Sequence, residues 1–346
     1  MGLVLYVGAV VVASEQRDYW EFVWIYGGFG GFGVGIAVRS RQFVGVYMAC
    51  WSHYQAHRGF VSAYIGAAFG LGPACFSLLS AYIANPTGSL PSFPQNFPHF
   101  GASVSRQTPL MLQVLAVLYA SMGFLGFLLI KEAPVVLVRG NYAHGRFFIT
   151  TTQFIKLPIA ISLAYPLPLY LSNALKGSLY YRFRNDWGLS LIAVIGAISC
   201  ASGRVFYGEL FQRVNFKVTY SALLLTQALL AFTLWDLVES WEALGLWVVV
   251  AMAVEGGHYL LLPATCAGFL TGVTGGSLFA VVHAAMALAA WELYALLRVC
   301  PEGMVWVVLG GMSIAALLLV SSIEETYSTK AQAWMRALES PINIEA

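Results

Sequence analysis

The chain has 346 residues, of which 59% are hydrophobic and only 10% charged, with a formal net charge of +2. A soluble domain carries about 25% charged residues, so this chain has too little polar surface to face water on all sides, and its solvent is lipid. The near-neutral balance, with no basic tract and no glycine-rich phosphate loop after a strand, gives nothing in favour of nucleic acid, which is not expected as a partner.

Residues 2–14 are apolar but fewer than the about 20 that a bilayer crossing takes. They lack the basic lead and small-residue cleavage site of a signal peptide. A polar turn at 15–18 follows. Residues 20–50 read as one long apolar helix interrupted by Arg39-Ser40-Arg41-Gln42. Its front half holds Gly27, Gly28, Gly30, Gly31, Gly33 and Gly35. In water each would weaken a helix by ~1 kcal/mol relative to alanine. In lipid they mark a face packed tightly on a neighbouring helix. A hinge at 51–59 carries His53, His57 and Arg58, and a span at 60–84 comes next. The proline-rich stretch 85–108 reads as a loop outside the membrane, and 109–130 as a clean span closed by Lys131 and Glu132.

Residues 131–152, with Lys131, Arg139 and Arg146, read as the interdomain loop. It divides an N-terminal partial bundle, 1–130, from a C-terminal six-helix bundle, 153–323, with a polar tail at 324–346. The span 153–175 contains Lys156, Pro158, Pro166 and Pro168, and proline breaks the helical ladder, so a kinked or discontinuous helix is expected. A polar segment runs to Asp186, and spans follow at 188–208, 218–235, 243–263, 274–297 and 303–323. The expected fold is all-α: a polytopic membrane helix bundle of about ten transmembrane helices.

Residues 202–217 read as a polar hinge between two spans. They carry Gly203 and Gly208, the acid Glu209, and the cations Arg204, Arg213 and Lys217. Glycines let two backbones approach, and cations hold such a join at the lipid headgroups on the positive side. This stretch resembles the loop between helices 8 and 9 of the major facilitator superfamily. The glycine-rich stretch 26–37 is similar to that family's helix 4. His57-Arg58-Gly59 leading into Gly66, Gly70 and Gly72 is similar to its hinge before helix 5. Glu255-Gly256-Gly257 with Pro263, and Gly275-Gly276-Ser277-Leu278-Phe279, stand where helices 10 and 11 would be. The closest subgroup is the oxalate/formate antiporters and monocarboxylate carriers. The resemblance implies a major facilitator-like bundle without its first two helices, with Arg58, Gly59, Gly203, Arg204, Gly208, Arg213 and Lys217 as gating and hinge residues. It also implies a cation in the middle of helix 8, yet 191–200 is uncharged, and around Val281 and Val282 the helix 11 counterpart is apolar, with His283 next door.

Several residues are candidates for binding a cargo. Arg39 and Arg41 either grip a carboxylate bidentately or snorkel to the interface. Glu255 and His258, at i and i+3, either relay protons or form a self-satisfied packing pair. Lys156 either faces a cavity or snorkels, and His283 is either a ligand or a satisfied core histidine. No nucleophile–base arrangement or metal spacing appears, and Cys50, Cys75, Cys200, Cys266 and Cys300 read as buried free thiols. No enzyme, metal or cofactor is expected. Two functions remain. One is a transporter-derived structural subunit of a larger membrane complex, with transport lost, of the kind found in mitochondrial respiratory or ATP synthase assemblies. The other is an active proton-coupled or exchange transporter of small carboxylates. Its partners are the bilayer in either case, other membrane subunits in the first, and a small carboxylate substrate in the second. The setting is an organelle inner membrane or the plasma membrane.

Overall fold

The computed structural model of the chain describes residues 1–39, 46–47, 50, 53–54, 58–92, 100–129, 152–214, 216–237, 240–269 and 273–323. Among them the extended elements are all helices. They are α1 (Gly2–Ser14), α2 (Tyr19–Phe22), a π-helix (Val23–Phe29), α3 (Gly30–Arg39), α4 (Arg58–Ala84), α5 (Ala102–Leu129), α6 (Thr152–Ala164), α7 (Pro166–Asn173), α8 (Leu175–Phe183), α9 (Asp186–Arg213), α10 (Phe216–Leu237), α11 (Trp241–Phe269), α12 (Val273–Val299) and α13 (Glu302–Ser321). Among the described residues, eight stretches are long and apolar enough to cross a membrane: α4, α5, α6 with α7, and α9 to α13. Their outward faces stay apolar: Phe127 is 72% exposed, Trp291 71% and Leu246 69%. Faces of that kind are stable against hydrocarbon, so the protein is a polytopic membrane helix bundle.

Three sequence expectations are corrected. Helix α5 starts at Ala102, so the loop expected at 85–108 cannot extend past 101, and Pro109 lies inside the helix. Residues 102–108 are polar and read as loop, but their hydroxyls bond back to the helix: Thr108 Oγ1 donates to the Val104 carbonyl at 3.2 Å. The polar segment before Asp186 contains α8. The hinge expected across 202–217 is mostly helix, because α9 continues to Arg213 and α10 begins at Phe216. Gly203, Arg204 and Gly208 are therefore interior helix residues. The discontinuity expected in 153–175 is present: α6 ends at Ala164, Tyr165 forms a turn, and Pro166 opens α7.

The chain forms two compact units that alternate along the sequence. The first contains Met1–His53, Gly72–Val136 and Lys176–Val194. In it α1 packs on α3 and α5. A Cβ at Gly33 would lie 2.7 Å from the Tyr6 amide nitrogen, so α1 and α3 meet backbone to backbone there. Val10, Leu112 and Ala116 form a small core beside them. The glycine-rich stretch is thus two-faced: Gly30 and Gly33 pack on α1, whereas Gly27, Gly31 and Gly35 have nothing within 4 Å.

The second unit contains Tyr54–Leu71, Leu137–Leu175 and Ile195–Ala346. Its core joins α6, α10, α11, α12 and α13 around Ile161, Tyr220, Leu223, Leu261 and Ala316. Large rings close one end: Tyr170 lies 4.7 Å from Trp306, and Trp247 lies 6.0 Å from Trp306. The candidate site lies inside this unit.

Candidate functional site

The site begins with a broken ladder. Pro168 has no N–H, so the carbonyl four residues earlier, on Ala164, loses its helical donor. Gln227 of α10 supplies one instead: its Nε2 donates to the Ala164 carbonyl at 2.7 Å and to Ser313 Oγ at 2.8 Å. With both amide hydrogens spent, Gln227 Oε1 is an acceptor, and His258 Nε2 of α11 bonds to it. His258 therefore carries its proton on Nε2, and Nδ1 accepts from the Tyr220 hydroxyl at 3.2 Å. Ser313 Oγ in turn donates to the Leu309 carbonyl at 2.9 Å. The result is a closed chain tying α6, α10, α11 and α13, in which Gln227, His258, Tyr220 and Ser313 are all buried. Such a network holds helices in register because no member can leave without stranding a buried group.

A second polar group lies between α9 and α11. These helices touch backbone to backbone: a Cβ on Gly203 would meet the Ala253 carbonyl, and one on Gly256 would meet the Cys200 carbonyl. Only glycine permits this approach. Arg204 follows Gly203 and is 3% exposed. Its Nη1 donates to the Gly66 carbonyl of α4, and its guanidinium lies 4.7 Å over the Tyr259 ring and 5.6 Å over Phe69. Its Nε has no hydrogen-bond partner among the described residues. Glu255, preceding Gly256, is 2% exposed. Ser172 Oγ of α7 donates to Oε1, while Oε2 has no partner among the described residues. Glu255 and Gln227 border a small cavity, about 10 Å³, otherwise walled by apolar side chains such as Leu167, Leu171 and Leu230.

Among the described residues, the predicted site residues do not converge. Glu255 and His258 share a helix but bond to different partners. Lys156 Nζ donates to the Ser322 carbonyl at 3.2 Å, at the C-terminal end of α13, where a cation complements the helix dipole. His283 is half-buried on α12 beside the buried Val282. Gly208 lies against Ala63 and Leu260, with a Cβ there 2.7 Å from Ala63 Cβ. Arg213 is exposed and lies 3.9 Å from Glu209, and Lys217 is half-buried at the start of α10. Arg39 ends α3, and Arg58 and Gly59 open α4; nothing beyond that backbone placement is described for them. Arg41 lies outside the described residues, as do residues 131–151 of the interdomain loop expected at 131–152, and the tail beyond 323. Sequence reasoning missed Gln227, Ser313, Tyr220 and Ser172. The available signal was an uncharged polar residue in the middle of an apolar span.

The first unit has its own polar cluster, at the start of α9. Asp186 accepts from Lys176 Nζ at 2.8 Å, from Asn85 Nδ2 at 2.8 Å and from the Tyr180 hydroxyl. Lys176 also donates to Ser190 Oγ at 2.7 Å. Burial pushes the Tyr180 phenol above its ordinary pKa of 10.0, and the bond to Asp186 and that carboxylate's charge push it further. Gly88, at φ +65°, turns the loop beneath Trp187. Each member bonds to Asp186 or to Lys176, which makes the cluster a clasp.

No protein-family model matches the chain, and no curated protein matches it.

Proposed function

We propose that this chain is a carrier-derived integral membrane protein, major facilitator-like in ancestry, that serves as a structural subunit of a larger membrane assembly with transport lost. The observation that carries the reading is how the second unit's buried polar groups are used. Gln227, His258, Tyr220 and Ser313 bond to one another and to main-chain carbonyls. Lys156 is occupied at a helix end. The cavity at Glu255 is about 10 Å³, the scale of one water molecule and too small for a carboxylate anion. A membrane protein whose polar groups fasten its own helices is suited to holding a fixed shape for partners. The proposed host is a respiratory or ATP-synthesising assembly of an organelle inner membrane, the mitochondrial one in the first instance.

The second reading is a proton-coupled or exchange carrier of small carboxylates. The observation in its favour is the unpartnered Glu255 oxygen beside a broken helix, since intramembrane carboxyls and interrupted helices mark transport pathways. One paired experiment separates the two. Purified protein in liposomes is assayed for uptake of labelled formate, oxalate and lactate, and tagged protein is isolated from mild-detergent extracts on native gels. Fixed-stoichiometry association with a large complex and no flux supports the subunit. Saturable, competed flux overturns it.

A further inference from the structure

Five buried side-chain polar atoms in the second unit lack a hydrogen-bond partner among the described residues, and two of them, one cationic and one on a carboxyl, belong to the same helix crossing. Among the described residues, the donor Arg204 Nε has no acceptor and the carboxyl oxygen Glu255 Oε2 has no partner. They belong to residues flanking a backbone-to-backbone helix crossing, one beside Gly203 and the other beside Gly256. The backbones there cannot slide, so any adjustment falls to the two side chains.

Arg204 is a guanidinium buried in a membrane bundle, which is costly without a counter-ion. A carbonyl bond to Gly66 and the Tyr259 ring offset part of that cost. Among the described residues, the groups facing Glu255 come from several neighbouring elements. Ser172 lies on α7 and Gln227 on α10, Tyr165 lies at the α6–α7 break, Tyr259 on the same helix, and Cys200 and Arg204 on α9. Arg204 is the one cation among these.

We propose that Glu255 is a proton-binding site whose occupancy decides which partner Arg204 holds. With the proton bound, the carboxyl is neutral, Ser172 donates to it, and Arg204 stays on the Gly66 carbonyl of α4. When the O–H bond breaks and the proton leaves for solvent, the carboxylate draws the guanidinium across, and the bond to α4 is released. The buried pair then carries no net charge, which compensates the cation that the neutral carboxyl leaves alone. The attachment of the first half of α4 to α9 becomes conditional on that proton. It then rests on the packing of Gly70 against Ala201 and of Gly208 against Ala63. The inference goes beyond both readings of function, since neither a subunit nor a carrier requires it.

The test is infrared difference spectroscopy of the full chain in nanodiscs as pH is raised, with arginine isotopically labelled at the guanidinium. The expected result is loss of a protonated-carboxyl C=O band together with a shift of the labelled guanidinium bands, at one shared midpoint. Glu255→Gln removes both changes, and Arg204→Lys keeps the carboxyl change without the guanidinium one. A guanidinium band that stays still while the Glu255 carboxyl deprotonates overturns the proposal. So does a carboxyl that never changes protonation over the pH range in which the protein stays folded. The wild-type spectrum alone decides between these outcomes if a variant fails to fold. Neither result depends on flux or complex association, so this proposal and the functional reading fail independently.

Discussion

Pro168 deletes a main-chain donor, and a side chain from another helix replaces it. That substitution of Gln227 for a missing amide has a measurable cost attached. Gln227→Leu keeps the volume but strands the Ala164 carbonyl and the His258 N–H, and each stranded buried group costs roughly 1–3 kcal/mol. Ser313→Ala strands one group, the second Gln227 amide hydrogen, while Gln227 still bonds to Ala164 and His258, so it costs roughly 1–3 kcal/mol against twice that for Gln227→Leu. Thermal unfolding in detergent, followed by a thiol dye reacting with buried Cys200, should rank Gln227→Leu as the more damaging. The reverse order would remove Gln227 from the centre of the network. At Tyr180 the prediction concerns pH. Its phenol is raised above 10.0 in the folded protein, so its contribution to stability is fully present below that value. The contribution falls as pH climbs past 10.0, where the unfolded chain ionises first. Tyr180→Phe should lack that part of the alkaline loss of stability, while wild type shows it; matching alkaline curves would refute the account.

Helices meet in this protein where glycine lets them, and the sequence revealed only part of that. The run 27–35 announced close packing, but it could not say which face packs. The structure assigns Gly33 to the α1 contact and leaves Gly27, Gly31 and Gly35 open. The break in 153–175 was legible because Pro166 and Pro168 act locally on their own helix. The end of α9 was not, because a charge near a span end looks interfacial, and the acceptor of Arg204 lies 138 residues away. Gln227 was illegible for the same reason, its partners being 63 and 86 residues distant. Alanine substitution separates crowded glycines from open ones. Gly203→Ala and Gly256→Ala drive a methyl into a backbone carbonyl and should destabilise by roughly 1–3 kcal/mol. Gly245→Ala on α11 has nothing within 4 Å and should be neutral or stabilise by up to about 1 kcal/mol through helix propensity. Equal effects at all three would contradict the close α9–α11 crossing.

For the molecule as a whole, composition already named the solvent, because so few charges cannot cover so many apolar residues. What composition leaves open is whether lipid covers every outward face or a partner covers some of them. Both units present large apolar side chains outward: Phe127 and Leu129 in the first, Leu246, Trp291 and Leu318 in the second. In a carrier working alone, all five positions meet acyl chains. In a subunit of an assembly, a contiguous subset is covered in the native membrane and uncovered on purification. Single nitroxide labels at these positions, introduced through cysteine, report this through collision with oxygen dissolved in the hydrocarbon. In nanodiscs holding the isolated protein, all five should be accessible. In native membranes, the subunit reading predicts at least one position shielded several-fold, with the shielding lost when the complex is dissociated. Uniform access in both settings would remove the partner and return the chain to the carrier reading. In that case the Glu255 carboxyl would be the first residue to substitute in a flux assay.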